Sequence, residues 1–211
     1  VSTLESLFSR GTEMFKGLAI EKLWTNRTYR VLHFDFSGIP CDSLENFQKA
    51  AVRKFFRVAV KCGALDKTSS PDNFTDIADL MNEITSNADI DSTVLLIDEY
   101  DSPLNDNLNN PELFNKIHAA IRYFYAAVKE GSGVFHFIFV TGVSRFNKVS
   151  LFSVGSSIAD ITLSPEYGTL LGYTEDEIRT YFGEHLRAAA AAIFHVSSDK
   201  VTEGQLSLVM D

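Results

Sequence analysis

The run Thr93-Val94-Leu95-Leu96-Ile97 narrows most sharply what this chain can fold into. Its residues are β-branched or apolar without alternation, so neither side of a strand made from them can face water. Such a run suits a strand covered on both faces, as in a parallel sheet with helices packed on each side. The flanking sequence has the complementary period. A strand is expected at 29–36 (YRVLHFDF) and a second buried strand at 134–140 (VFHFIFV), with a shorter one at 158–163. Between them, Ser43 caps a helix to about residue 61, another helix is expected over 72–87, and Asn110-Pro111 opens a long helix. Helices are also expected at 1–9 and from the Thr174-x-x-Glu177 capping box to about 194. This alternation predicts an α/β fold with a mostly parallel sheet flanked by helices.

The central strand ends in Asp98-Glu99, followed by Tyr100-Asp101. Parallel sheets bind ligands at the carboxyl ends of their strands. A buried strand followed by Asp-Glu has the form of a Walker B motif, in which Asp98 would orient Mg²⁺ through water and Glu99 would polarise the attacking water. The plainer alternative is a pair of acids opening a solvated loop. The next strand ends in Thr141-Gly142, with Ser144, Arg145 and Lys148 just beyond. Thr141 could bond the attacking water or the γ-phosphate as a sensor, with Arg145 and Lys148 stabilising developing phosphoryl charge. Read plainly, they are a strand-ending Thr and two solvated cations. The stretch 142–150 (GVSRFNKVS) only imitates a phosphate loop: Asn147 stands in place of its second Gly and Val149 in place of the metal-binding hydroxyl. Tyr100 likewise breaks an Asp-x-Asp nucleophile pattern, and the five histidines lack zinc-ligand spacing.

Composition excludes several other classes. With 45% hydrophobic and 22% charged residues, the chain is globular rather than disordered. Its 17 Phe against one Trp predict a phenylalanine-packed core. A net charge of −9 argues against gripping nucleic acid through overall charge, while leaving room for a local basic strip. Cys41 and Cys62 form neither a metal motif nor a disulfide framework. No apolar run is long enough for a membrane span, and no signal peptide opens the chain, so a soluble, cytoplasmic protein is expected. Val1, Leu4, Leu7 and Phe8 already keep helical spacing, and the capping box at Thr202-Glu203-Gly204-Gln205 introduces a run that stops at Asp211. Both ends therefore read as cut through helices, and 1–211 as a fragment of a longer domain.

The segments 95–104 (LLIDEYDSPL) and 140–152 (VTGVSRFNKVSLF) resemble the predicted AAA-ATPase-like family. Likeness continues at 2–4, 7–8, 14–20, 31–37, 160–163 and 171–178, so it spans nearly the whole chain. The resemblance implies a P-loop ATPase of the additional-strand type that uses Mg²⁺ and ATP, often joined downstream to a PD-(D/E)XK nuclease-like domain. By that analogy Asp98 orients Mg²⁺, Glu99 is the catalytic base, and Thr141 senses the γ-phosphate with Arg145 assisting. Family members carry a phosphate loop ending in Gly-Lys-Ser just before the helix to which residues 1–8 correspond; these 211 residues hold no such loop, so the fold is expected to be incomplete at its N-terminus. The family sheet order 5-1-4-3-2 would then leave inner edges unpaired at 134–140 and 158–163, inviting self-association. Two rival readings remain at this level: a catalytically dead P-loop-like interaction module, and a metal-dependent hydrolase built on Asp98, Glu99 and Asp101.

Overall fold

The central strand lies where its apolar run requires. In the computed structural model, which describes residues 1–25, 27–144, 158–169 and 172–210, three parallel strands form a sheet in the order β1-β2-β3. They are β1 (Arg30–Asp35), β2 (Thr93–Asp98) and β3 (Phe135–Val140). Residues 93–97 of β2 are wholly buried. The order agrees with the neighbours expected for the second, third and fourth strands of the family sheet. The register pairs Arg30 with Thr93 and runs to Asp35 opposite Asp98, setting two carboxylates side by side at the carboxyl edge.

The chain divides into two units, Val1–Ile158 and Ala159–Asp211. In the first, strand alternation sends Leu32, Phe34 and Phe36 to one face of the sheet and Val31, His33 and Asp35 to the other. The first face meets α3 (Leu44–Lys61), α4 (Ile77–Ser86) and α6 (Pro111–Glu130) in the main core. Its centre is aromatic, as the Phe count predicts. Phe34 stacks on Phe55 at 4.4 Å between ring centres, and Phe36 meets Phe55 edge-on at 4.9 Å. Phe55→Ala is expected to cost about 3–5 kcal/mol in urea unfolding, the range for emptying a phenylalanine site in a packed core. The other face is covered by α1 (Ser2–Arg10), whose Phe8 packs with Val31, Val94 and Leu96. Between α1 and β1 lies the single turn α2 (Ile20–Leu23).

Caps place the helix starts. The Ser43 hydroxyl accepts from the Asn46 amide at 3.1 Å, and the Asn110 side chain accepts from the Leu113 amide at 3.2 Å. The helix expected over 72–87 begins only at Ile77. Asp76 accepts from the Ala78 and Asp79 amides, both at 2.9 Å, and so fixes the first turn there. Pro71–Asn73 forms a separate 3₁₀ turn.

Two strand expectations are corrected. The segment expected at 134–140 forms a strand over 135–140, but a half-exposed one: Phe137 is 36% exposed, and among the described residues β3 pairs only with β2. Its register also slips, with Thr93 opposite Phe135 and Val94 opposite Phe137, leaving His136 as the extra residue. The bulge lets Phe135 and Ile138, three apart, both pack against the main core. Residues 158–163 are not a strand. Asp160 accepts from the Thr162 amide at 3.1 Å and from its hydroxyl at 2.6 Å, and this local closure makes a turn.

In the second unit, α7 (Glu175–Phe194) carries the predicted capping box, with Thr174 and Glu177 each bonding the other's backbone amide. It packs with α8 (Glu203–Met210) around Ala190, Val201 and Leu206, and Arg179 ties Glu175 to Glu203 at 2.8 Å each. Among the described residues no helix is long and apolar enough to cross a membrane.

Candidate active site

The sheet brings together two of the residues singled out from sequence. Asp98 ends β2, and Thr141 follows β3 with its amide bonded to the Ile97 carbonyl at 2.9 Å, which extends the ladder by one rung. The Thr141 hydroxyl donates to Asp98 Oδ1 at 2.5 Å, the short distance typical of a hydroxyl on a carboxylate. The other Asp98 oxygen faces His33 of β1, with Nε2 at 4.0 Å from Oδ2. His33 Nδ1 in turn meets Glu5 Oε2 of α1 at 2.8 Å. A line of polar side chains, Glu5–His33–Asp98–Thr141, thus crosses all three strands on the α1 face. His33 Nε2 is buried and, among the described residues, has no hydrogen-bond partner, since 4.0 Å is too long for one.

Glu99 is exposed and has φ 47°, a left-handed conformation that a side chain with a Cβ adopts at a cost of about 1–2 kcal/mol. Neighbouring hydrogen bonds hold it there: Phe36 amide to Asp98 carbonyl (3.0 Å), Tyr100 amide to Thr141 carbonyl (3.2 Å) and Ser102 amide to Glu99 carbonyl (3.0 Å). The sharp turn leaves Glu99 facing water and sends the next two side chains inward, with Tyr100 6% and Asp101 1% exposed.

Asp101, at the entrance of α5 (Ser102–Asn105), clamps the loop that carries Thr141. Its carboxylate accepts from the Val143 amide at 3.2 Å, from the Ser144 amide, and from Asn105 Nδ2 at 3.1 Å. The Tyr100 hydroxyl donates to the Ser144 carbonyl at 3.1 Å, and the Ser144 hydroxyl donates to Asn105 Oδ1 at 2.9 Å. A Cβ on Gly142 would lie 2.5 Å from Asp101 Oδ1 and 2.6 Å from Tyr100 Cε1, so the loop passes where only glycine fits. Beneath the clamp, burial, reinforced by Tyr100 and Asp101, pushes the Tyr125 phenol well above its usual pKa and keeps it neutral. Asp101 is therefore spent on the loop, which takes one of its three carboxylates away from the metal-hydrolase reading.

Arg145 and Lys148 lie outside the described residues. Among the described residues no three His, Cys, Asp or Glu side chains converge as a metal cage. At the carboxyl end of β2, the Asp98 side chain is 35% exposed. That suits a Mg²⁺ ion, which keeps several waters and is completed by substrate phosphates, and does not suit zinc or calcium held by protein alone.

The family model described as Predicted AAA-ATPase matches residues 1–152. The chain belongs to this family. All three strands and every residue singled out from sequence, Asp98, Glu99, Thr141, Arg145 and Lys148, fall inside the region matched to the predicted AAA-ATPase family. An uncharacterized protein of the vnfD 5′ region of Azotobacter chroococcum mcd 1 is 29% identical over 187 residues, which cover 88% of this chain and 36% of that relative. The chain thus spans about a third of the length of the curated relative it matches. No solved structure matches.

Sequence reasoning missed Glu5 and His33. The signal was present in YRVLHFDF, where His33 and Asp35 are the polar positions of a period-2 pattern and so share one face of a strand. Nor did sequence reasoning give Asp101 its part in holding the loop, which only the contacts with Val143 and Ser144 reveal.

Proposed function

We propose that this predicted AAA-ATPase works as an ATP-hydrolysing switch or motor on a P-loop-type sheet of the additional-strand class, with residues 1–211 supplying its Walker B and sensor elements. The observation that carries the reading is the Thr141 hydroxyl on Asp98 at the carboxyl ends of two adjacent parallel strands. That is where nucleotide chemistry is done in sheets of this kind, and family membership supports the same chemistry. Asp98 would orient Mg²⁺ through water, held in place by the Thr141 hydroxyl. When bound, Mg²⁺ would supply charge neutralisation on the phosphates. Glu99, turned to solvent beside Asp98, would accept the proton of the attacking water. Thr141 would report the γ-phosphate, and Arg145 and Lys148 would stabilise the charge that develops on it.

For the whole protein, the proposal places it in the cytoplasm and allows for a downstream nuclease-like domain, with no cleavage activity assigned to this chain. The test is Mg²⁺-dependent ATP hydrolysis by the full-length protein, abolished by Asp98→Ala. An Asp98→Ala protein that hydrolyses ATP like the wild type would overturn the reading. The 211-residue chain alone contains no Gly-Lys-Ser and so lacks the amides and lysine that cradle phosphates. It is expected to bind Mg-ATP weakly or not at all in a calorimetric titration. Tight binding by the chain alone would instead locate the phosphate cradle within these residues.

A further inference from the structure

The chain is acidic overall, yet one helix carries a stripe of cations. Lys49, Arg53, Lys54 and Arg57 recur on α3 at spacings of four, one and three residues, which places them along one side of the helix. With the loop 38–40 that follows β1, they line an open cavity of about 510 Å³. The cavity lies by β1 at one edge of the sheet, whereas Thr141 follows β3 at the other. Lys61, exposed one turn further on, continues the stripe.

The charges there do not cancel. Lys54 is pinned at 3.0 Å to Asp35 and at 2.8 Å to the Ser37 carbonyl. Burial pushes Asp35 up, but hydrogen bonds from Ser37 and Lys54 outweigh it and keep the carboxyl below its usual pKa, so Asp35 stays ionised beside Lys54. Arg53 lies 3.6 Å from Asp72, an exposed pair worth little in water. Lys49 and Arg57 are exposed, and among the described residues neither has a carboxylate within ion-pair distance. The Arg57 Nε–H instead bonds the Arg53 carbonyl at 3.2 Å, which leaves the outer nitrogens of its guanidinium available.

The shape of the stripe selects among anions. Lys49 and Arg57 stand about 12 Å apart along the helix axis, and Lys61 extends the row to about 18 Å. A single phosphate or a nucleotide tail is too compact to meet all of these cations. A nucleic-acid strand carries a charge every ~3.4 Å of duplex axis and can meet them in succession. Two arginines favour phosphate, whose oxygens match the guanidinium fork. The walls offer Ile39, Pro40 and Ala50 but no aromatic ring for a base to stack on. We propose that the α3 stripe is a nucleic-acid docking surface that grips the phosphate backbone without reading sequence. It is the local basic strip that the overall charge of −9 leaves room for, and it does not depend on the ATPase reading.

The test is fluorescence anisotropy on the 211-residue chain, with a labelled oligothymidine and a labelled duplex of unrelated sequence. Both are expected to bind, and contact with four phosphates gives a log–log salt slope of about −2.8 for the single strand and about −3.6 for the duplex, roughly a 50-fold and a 150-fold loss between about 50 and about 200 mM salt. K49E/R57E is expected to weaken binding at least tenfold, while K116E/K129E on α6, an equal change in net charge, has a much smaller effect. Should charge reversal lower the melting midpoint, K49Q/R57Q gives the same comparison without new repulsion. Failure of the wild-type chain to bind either nucleic acid overturns the proposal. So does equal loss in the α3 and α6 variants, or binding of polyglutamate as tight as that of the oligonucleotides, which would assign the stripe to acidic peptides.

Discussion

Glu99→Gln in the full-length protein is expected to leave ATP binding intact and to slow hydrolysis by about 10²–10⁴-fold, the usual contribution of a positioned general base. The substitution keeps the shape of the side chain and removes only its basicity. Glu99 is exposed, so stability should change by no more than about 0.5 kcal/mol. Unchanged turnover would remove Glu99 from the base role. The backbone supplies a second, independent reading. At φ 47° the residue pays for its Cβ, so Glu99→Gly should raise stability by about 1 kcal/mol while activity falls as in Glu99→Gln. Opposite signs for stability and activity at one position mark strain kept for function rather than for folding. Equilibrium unfolding in urea, set beside ATP turnover, measures both.

What the sequence makes legible follows from how local each signal is. The 93–97 run can be read alone, because five residues with no polar alternation leave one architecture for the strand, and the structure buries all of them. Ser43, Asn110 and the Thr174–Glu177 box are legible for the same reason, since a cap and the backbone amide that donates to it lie within three residues. Long-range pairing is not visible in this way. VFHFIFV reads as fully buried because its apolarity is local, whereas among the described residues it has a strand on one side only, and its bulge depends on where Thr93 and Val94 fall opposite it. Residues 158–163 look strand-like by composition, but the two-residue reach from Asp160 to Thr162 closes a turn instead. At the candidate site, Asp98 and Thr141 could be named because each ends an apolar run. Glu5 could not, since it contributes only by the packing of α1 against β1.

Asp101→Ala is expected to destabilise the protein by about 2–4 kcal/mol, because it removes a buried charged acceptor from three donors at once. Val143 is 87% exposed, so water can reach part of the freed loop, which keeps the loss below the full sum of three charged hydrogen bonds. Asp101→Asn retains one acceptor oxygen but turns an N–H₂ group toward amides that also donate, so it should recover only part of the loss. Gly142→Ala attacks the same clamp from the other side. Its Cβ cannot be placed without moving Asp101 or Tyr100, at a cost of about 1–3 kcal/mol. Because both substitutions open one clamp, the double variant should lose clearly less than the sum of the single losses. A urea double-mutant cycle measures this, and additive losses would show that Gly142 and Asp101 act separately. The same cycle bears on the site, since Thr141 directly precedes Gly142 and its hydroxyl on Asp98 depends on where the clamped loop begins. Loss of the clamp should therefore reduce hydrolysis in variants that are still folded at the assay temperature, whereas Phe55→Ala, destabilising to a similar degree from the core, should leave the turnover of the folded fraction unchanged.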